Sequence, residues 1–391
     1  MNFSGAYRLN MTVGGKEIPF YPQMINEMTI SLDIDRLLPI FKLSLNDATH
    51  VMAHVAPYDQ TSNVIGLEFA LSDDMSDLNL FEFDVKRRKV LNSDVYVVSG
   101  LLRVPSLITK QRSRHFTGDL KANLESMAND DLGIGETEIG SSLSVDKTFI
   151  QPNWTDAKML GYLRDNVLGN DSEAGYYCFV KNVRGMQVLV FKSINELFMS
   201  PVTAKFIVGY KEYEDFIPVV GHRIYDNSQF CADFGARKQS YSYWDYESGA
   251  CVTDDVSLSD CPSLSEFYLV DSDRSDDSLT GIGSGRSNDF TSDFQGKYKN
   301  MFYRKNTETI HMWVSTWGLE NVSPGDIVKV LFNEAMVQGE LLGAYQHSGY
   351  WMVKRVVHSF GLAFRTNLLL SRCGIDTDIS TTLIESDLRR R

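Results

Sequence analysis

The most restrictive feature of this 391-residue chain is an apolar/polar alternation of period two. Met28-Thr29-Ile30-Ser31-Leu32 and Phe41-Lys42-Leu43-Ser44-Leu45 alternate strictly. Leu78 to Val85 alternates with one slip, and Val95 to Val98 is a short apolar run. Successive side chains of a strand point to opposite faces, so the pattern predicts strands with one buried and one wetted face. Turn compositions at Gly14-Gly15, Asp73-Asp74 and Asn92-Ser93-Asp94 separate these strands. Short strands so spaced predict an antiparallel sandwich or barrel over residues 1–107.

After Pro105 the period changes. Leu120, Leu124 and Met127 fall on one helical face. Thr155 is placed to cap a second helix striped by Met159, Leu160, Leu163 and Val167. Strands follow at 176–180 and 186–191 around a turn at 182–185. Residues 108–200 therefore read as an α+β module, completed by 241–292. Strand patterns return at 204–208, 217–220 and 229–234, and again at 310–316, 327–332, 339–345, 349–359 and 362–372. Together with a helix over 293–305 they predict a second β module from 201–240 and 293–375. Residues 376–391, ending Arg389-Arg390-Arg391, read as a tail. The fold class is thus mainly β with an α+β insertion, and the two β modules could be structural duplicates without an obvious sequence repeat.

Segment 251–294 stands apart, with ten acidic residues against Arg274 and Arg286, and reads as an exposed loop. Its run Asp271–Asp277 fails as a calcium loop, because Asp276 and Ile282 stand where glycine and glutamate are needed. Gly281-Ile282-Gly283-Ser284-Gly285 lacks the features of a phosphate loop or nucleophile elbow. His50 and His54 have helical metal spacing in a strand context, where they would sit about 13 Å apart. His311, His347 and His358 lie among aromatic strands and read as satisfied, partly buried side chains. Tyr241 to Tyr246 could line a sugar surface or pack a sheet face, and Trp313, Trp317 and Trp351 fit cores or subunit seams.

The formal charge of −13 argues against a surface that grips phosphates, though not against one that lets a polyanion pass. The five cysteines (Cys178, Cys231, Cys251, Cys261, Cys373) show no paired spacing, so free thiols and cytosolic synthesis are expected. The opening residues show no basic and apolar secretory signal, and no apolar run approaches the ~20 residues that span a bilayer.

A Pro324-Gly325 turn opens a strand, a later strand spaces Tyr350, Val353, Val356 and His358, and these follow the helix from Trp154 to Val167 and the hairpin over Tyr176–Phe191. With this order of parts the chain resembles the central baseplate hubs of contractile-tailed bacteriophages, including late-control D type hubs and the hub part of type VI secretion spike proteins. The resemblance implies two tube-protein-like β modules flanking the helix-containing one. It also implies a homotrimer forming a six-module ring between a hexameric tail tube protein and a trimeric central spike protein. Other baseplate proteins and a tape-measure protein would be neighbours, and phage DNA would cross the lumen, where acidic walls offer no phosphate traps. The long acidic insertion and basic C-terminus depart from the family pattern. No catalytic, cofactor-binding or metal-ligating residue is expected. The strands 28–32 and 41–45 are expected to pair between neighbouring copies, 327–345 to pack the second ring module, and 271–288 with 376–391 to meet partners. The alternatives are a tail-associated cell-wall hydrolase and a carbohydrate-binding tail-tip adhesin.

Overall fold

Alternation becomes structure as a single 14-stranded sheet, curled so that its apolar faces enclose the cores. The computed structural model describes residues 8–18, 24–46, 64–70, 79–92, 95–209, 215–226, 238–245, 249–257, 261, 282–284, 290–333, 347–361 and 363–373. The first part is β1 (Arg8–Val13), β2 (Lys16–Ile18), β3 (Ile25–Asp33), β4 (Ile40–Asn46), β5 (Val64–Ala70), β6 (Asn79–Asn92) and β7 (Val95–Leu102). In β3 and β4 the alternate residues Met28, Ile30, Leu32, Phe41, Leu43 and Leu45 are buried, as the period-two pattern requires.

Next come α1 (Pro105–Thr109), β8 (Gln111–Phe116), α2 (Leu120–Ser126), β9 (Glu136–Ile139), β10 (Phe149–Thr155), α3 (Asp156–Asn166), β11 (Tyr177–Val183), β12 (Met186–Lys192) and α4 (Ile194–Phe198). Thr155 does cap α3, its hydroxyl accepting from the Lys158 amide. The chain continues through β13 (Val202–Gly209), β14 (Ile217–Pro218), β15 (Gly221–Asp226), β16 (Lys238–Asp245), β17 (Ala250–Ser257) and β18 (Ile282–Ser284). It ends in α5 (Phe290–Asn306), β19 (Ile310–Trp317), β20 (Ile327–Asn333), β21 (Gly349–Phe360) and β22 (Arg365–Arg372).

Two halves of the large sheet repeat one strand order. The first runs β3-β4-β7-β6-β5-β1-β2; the second runs β15-β19-β22-β21-β20-β13-β14. The halves differ at their far ends, where β1 lies antiparallel to β5 but β13 parallel to β20. They are sewn together by β3, which pairs antiparallel with β21 from Asp33↔Arg355 to Met28↔Phe360. On the face turned from the core, rows cross this seam from β19 to β7: Ser315, Asn367, Val357, Ser31, Ile40 and Leu101 in one, Trp317, Arg365, Ser359, Thr29, Lys42 and Ser99 in the next. Arg365 and Lys42 are the only charges in these rows, so acids do not line them.

Three expectations need correction. Strands 28–32 and 41–45 are not free to pair with another copy, because β3 lies between β4 and β21, and β4 between β3 and β7. The helix expected to open the second β module, α5, packs on α3 instead. Segment 251–294 is not a loop throughout: β17 and β18 flank β16 in a three-stranded sheet, and Cys261 is buried. Acidic composition hid β17 because this small sheet leaves most of that strand exposed. His50, His54, the strands expected at 229–234 and 339–345, Asp271–Asp277 and 376–391 lie outside the described residues.

Candidate functional site

A structural role would depend on how the parts are held together, and they meet at the turn between β3 and β4. The Asp33 carboxylate starts that turn by accepting from the Asp35 amide at 3.1 Å, while the Arg36 amide donates to the Asp33 carbonyl at 3.0 Å. The turn thereby projects Ile34, fully buried, into a core shared with Tyr177, Phe179, Ile327 and Met352. Its backbone is claimed from two sides. Ile34 donates to the Lys354 carbonyl at 2.9 Å, and Val180 of β11 donates to the Leu37 carbonyl at 2.8 Å.

Charges reinforce the same meeting point. The Asp33 carboxylate, 2% exposed, takes Arg355 Nε at 2.7 Å and Nη2 at 2.6 Å. Lys354, in the bulge of β21, reaches Asp35 at 3.2 Å and also pairs with Glu308 just beyond α5. Arg164 of α3 donates to the Asp35 carbonyl at 3.4 Å and pairs with Asp165 at 2.9 Å; Arg304 of α5 joins Asp165 at 2.8 Å. Burial works to raise the Asp165 carboxyl, but these two guanidinium groups outweigh it and hold it below the usual carboxylate range.

Asn300 fixes α5 to this frame. Its buried Oδ1 accepts from the Gly175 and Tyr176 amides at 2.7 and 3.0 Å, and Nδ2 donates to the Val167 and Gly296 carbonyls at 2.8 and 2.7 Å. A polar residue in mid-helix thus hydrogen-bonds four backbone groups in a buried setting. Tyr241, from the aromatic run considered as a sugar surface, is buried and stacks on Tyr298 of α5 at 4.9 Å.

The motif residues that suggested a family are physically coupled. Gly325 adopts φ +85°, its amide donates to the Val353 carbonyl at 2.8 Å, and an added Cβ would meet Phe179 at 3.1 Å. His358 is buried beside Phe69 and Phe364 and shares a hydrogen bond with Thr366 at 3.2 Å. His311 and His347 depart from the expectation of satisfied histidines, since the buried Nδ1 of each has no partner among the described residues. Trp351 is core, whereas Trp313 and Trp317 are half-buried. Among the described cysteines none is in a disulfide; Cys178, Cys261 and Cys373 are buried and Cys251 is exposed.

Burial lowers the His358 pKa from 6.5 to about 4. As pH falls below about 6.5 the unfolded chain therefore takes up this proton first. Stability contributed by neutral His358 is complete above that pH and declines down to about 4; His311 and His347, also lowered by burial, act in the same direction. Urea midpoints are accordingly expected to be lower at pH 4.5 than at pH 7.5, with a narrower gap in His358→Leu. An equal gap in the variant would reject His358 as a source.

No protein-family model matches the chain, and no curated protein matches it. Solved structures do. A tail protein from Neisseria meningitidis MC58 superposes with a TM-score of 0.59 at 12% identity, covering 96% of this chain and 99% of that one. The 43 kDa tail protein of prophage MuSo2 from Shewanella oneidensis gives 0.57 at 11%, covering 94% and 99%. A chain of the lidless PdpA–VgrG complex gives 0.50 at 9%, covering 94% of this chain and 64% of its own length. Such low identity carries the architecture and nothing finer: a mainly β chain with an α+β insertion, folded as these solved structures are.

Proposed function

We propose that the chain is a structural, non-enzymatic tail hub. Three copies close into a ring of six similar β modules, which joins a hexameric tail tube to a trimeric central spike in the virion baseplate and lets DNA pass. The observation that carries this reading is the repeated seven-strand order, joined edge to edge through β3 and β21. A three-fold assembly can meet a six-fold one when each chain presents two equivalent patches, and a doubled sheet supplies them. Likeness to tail proteins over nearly their whole length supports the same reading. The rows crossing the seam, of hydroxyl, amide and aliphatic side chains apart from Trp317, Arg365 and Lys42, would serve as channel wall. They replace the acid-lined wall expected from net charge, and Arg365 and Lys42 are the points in them that would meet a phosphate.

Sedimentation of the purified chain is the direct test. A species near 130 kDa, three chains of 44.2 kDa, is expected, and a stable monomer at micromolar concentration would overturn the ring.

A further inference from the structure

The seam inside the chain is a pattern for a contact outside it. Matching the two strand orders gives β15 the role of β3, and β6 the role of β21. The match extends to single residues. Both long strands carry an irregularity immediately after a valine, between Val85 and Arg87 and between Val353 and Arg355. The tripeptide Val-Lys-Arg stands at both places, Val85-Lys86-Arg87 and Val353-Lys354-Arg355. Pairing just before the irregularity also agrees, since Asp84 faces the first residue of β5, Val64, and Met352 faces the first residue of β20, Ile327.

The edges then differ in one respect. On β21 the edge opposite β22 is occupied twice, by β20 at Gly349–Met352 and by β3 at Arg355–Phe360. On β6 the corresponding edge carries β5 only as far as Asp84. From Val85 to Asn92 that edge has no partner among the described residues. Likewise β3 has strands on both sides, whereas β15 pairs only with β19 among the described residues. Each half of the seam therefore has a counterpart that is open among the described residues, one in each half of the sheet. Unpaired edges of this kind are templates for strand addition.

We propose that β15 of one copy adds antiparallel to the Val85–Asn92 edge of β6 in a second copy, in the register by which β3 adds to β21. Within the chain Val356, Val357 and His358 face Leu32, Ser31 and Ile30. Between copies Arg88, Lys89 and Val90 face Asp226, Tyr225 and Ile224. This register sets Arg88 opposite Asp226, the last residue of β15. The contact is head-to-tail, because the two edges are different surfaces, and it closes if the rotation per copy divides a full turn. It rests on the three-copy ring proposed above and names the strands that make it.

Disulfide trapping in the full chain tests the register. Val90→Cys and Ile224→Cys are combined, with exposed Cys251 changed to serine, and oxidised with copper phenanthroline. Facing residues in an antiparallel pair lie about 4.5–5.5 Å apart, within disulfide reach. Covalent dimer and trimer are expected in the double variant and in neither single variant. The adjacent pair Lys89→Cys with Tyr225→Cys repeats the test should the first fold poorly. Sedimentation of the unoxidised variant separates the two ideas. A trimer without cross-links specific to either pair overturns the strand addition and leaves the ring standing; a monomer overturns both.

Discussion

In urea, Arg355→Ala is expected to unfold about 2–4 kcal/mol less stable than the unaltered chain. The variant removes two contacts, at 2.7 and 2.6 Å, from a carboxylate that is only 2% exposed. Breaking a buried pair from one side costs about 3–5 kcal/mol, because the remaining charge keeps its desolvation penalty. Here the cost is reduced, since the Arg355 side chain is 33% exposed and Arg36 lies 3.8 Å from the same carboxylate. Arg355→Lys should fall between the two, as an ammonium cannot reproduce the paired guanidinium contacts. The cycle with Asp33→Asn is decisive. With no charge left to strand, the double variant should lose less than the sum of the single losses. Strict additivity would show that the pair contributes nothing to the seam.

Much of the architecture could be read from local pattern, and the seam could not. Met28 to Leu32 and Phe41 to Leu45 announce strands because each residue reports its own side of a sheet. Thr155 announces a helix because a cap acts within three residues. The contact between Arg355 and Asp33 spans 322 positions, and nothing local to either residue records its partner. The same holds for Asn300, whose partners, the Gly175 and Tyr176 amides, lie 125 and 124 positions away. One signal of the site was present: Val-Lys-Arg occurs at Val85 and again at Val353. It was invisible as a repeat because the residues around it diverge, Arg88-Lys89-Val90 in one strand and Val356-Val357-His358 in the other. Segment 251–257 misled for the opposite reason. Composition speaks for the burial a segment can achieve, and β17 pairs with β16 while burying little.

Trp351→Ala should be the most damaging substitution, with a loss of about 3–5 kcal/mol, the range for truncating a buried aromatic side chain. Trp351 is wholly buried, its indole nitrogen donates to the His347 carbonyl at 3.1 Å, and the buried Arg372 guanidinium lies 4.1 Å above its ring. Alanine would leave both a cavity and a cation without its aromatic platform. The doubled strand order supplies a control that an isolated core site could not. The residue in the equivalent place on β6 is Phe83, equally buried and stacked on Phe41 at 5.0 Å and Phe81 at 5.7 Å. If the halves are packed alike, a phenyl ring suits this position, and Trp351→Phe should lose only about 1–2 kcal/mol, near the cost of other shape-similar core exchanges. Urea midpoints of the two variants, measured at pH 7.5 to keep His358 neutral in both states, decide the matter. A phenylalanine variant as unstable as the alanine one would mean that the halves share their strand order without sharing their packing, and the equivalence of their outward surfaces would lose its physical basis.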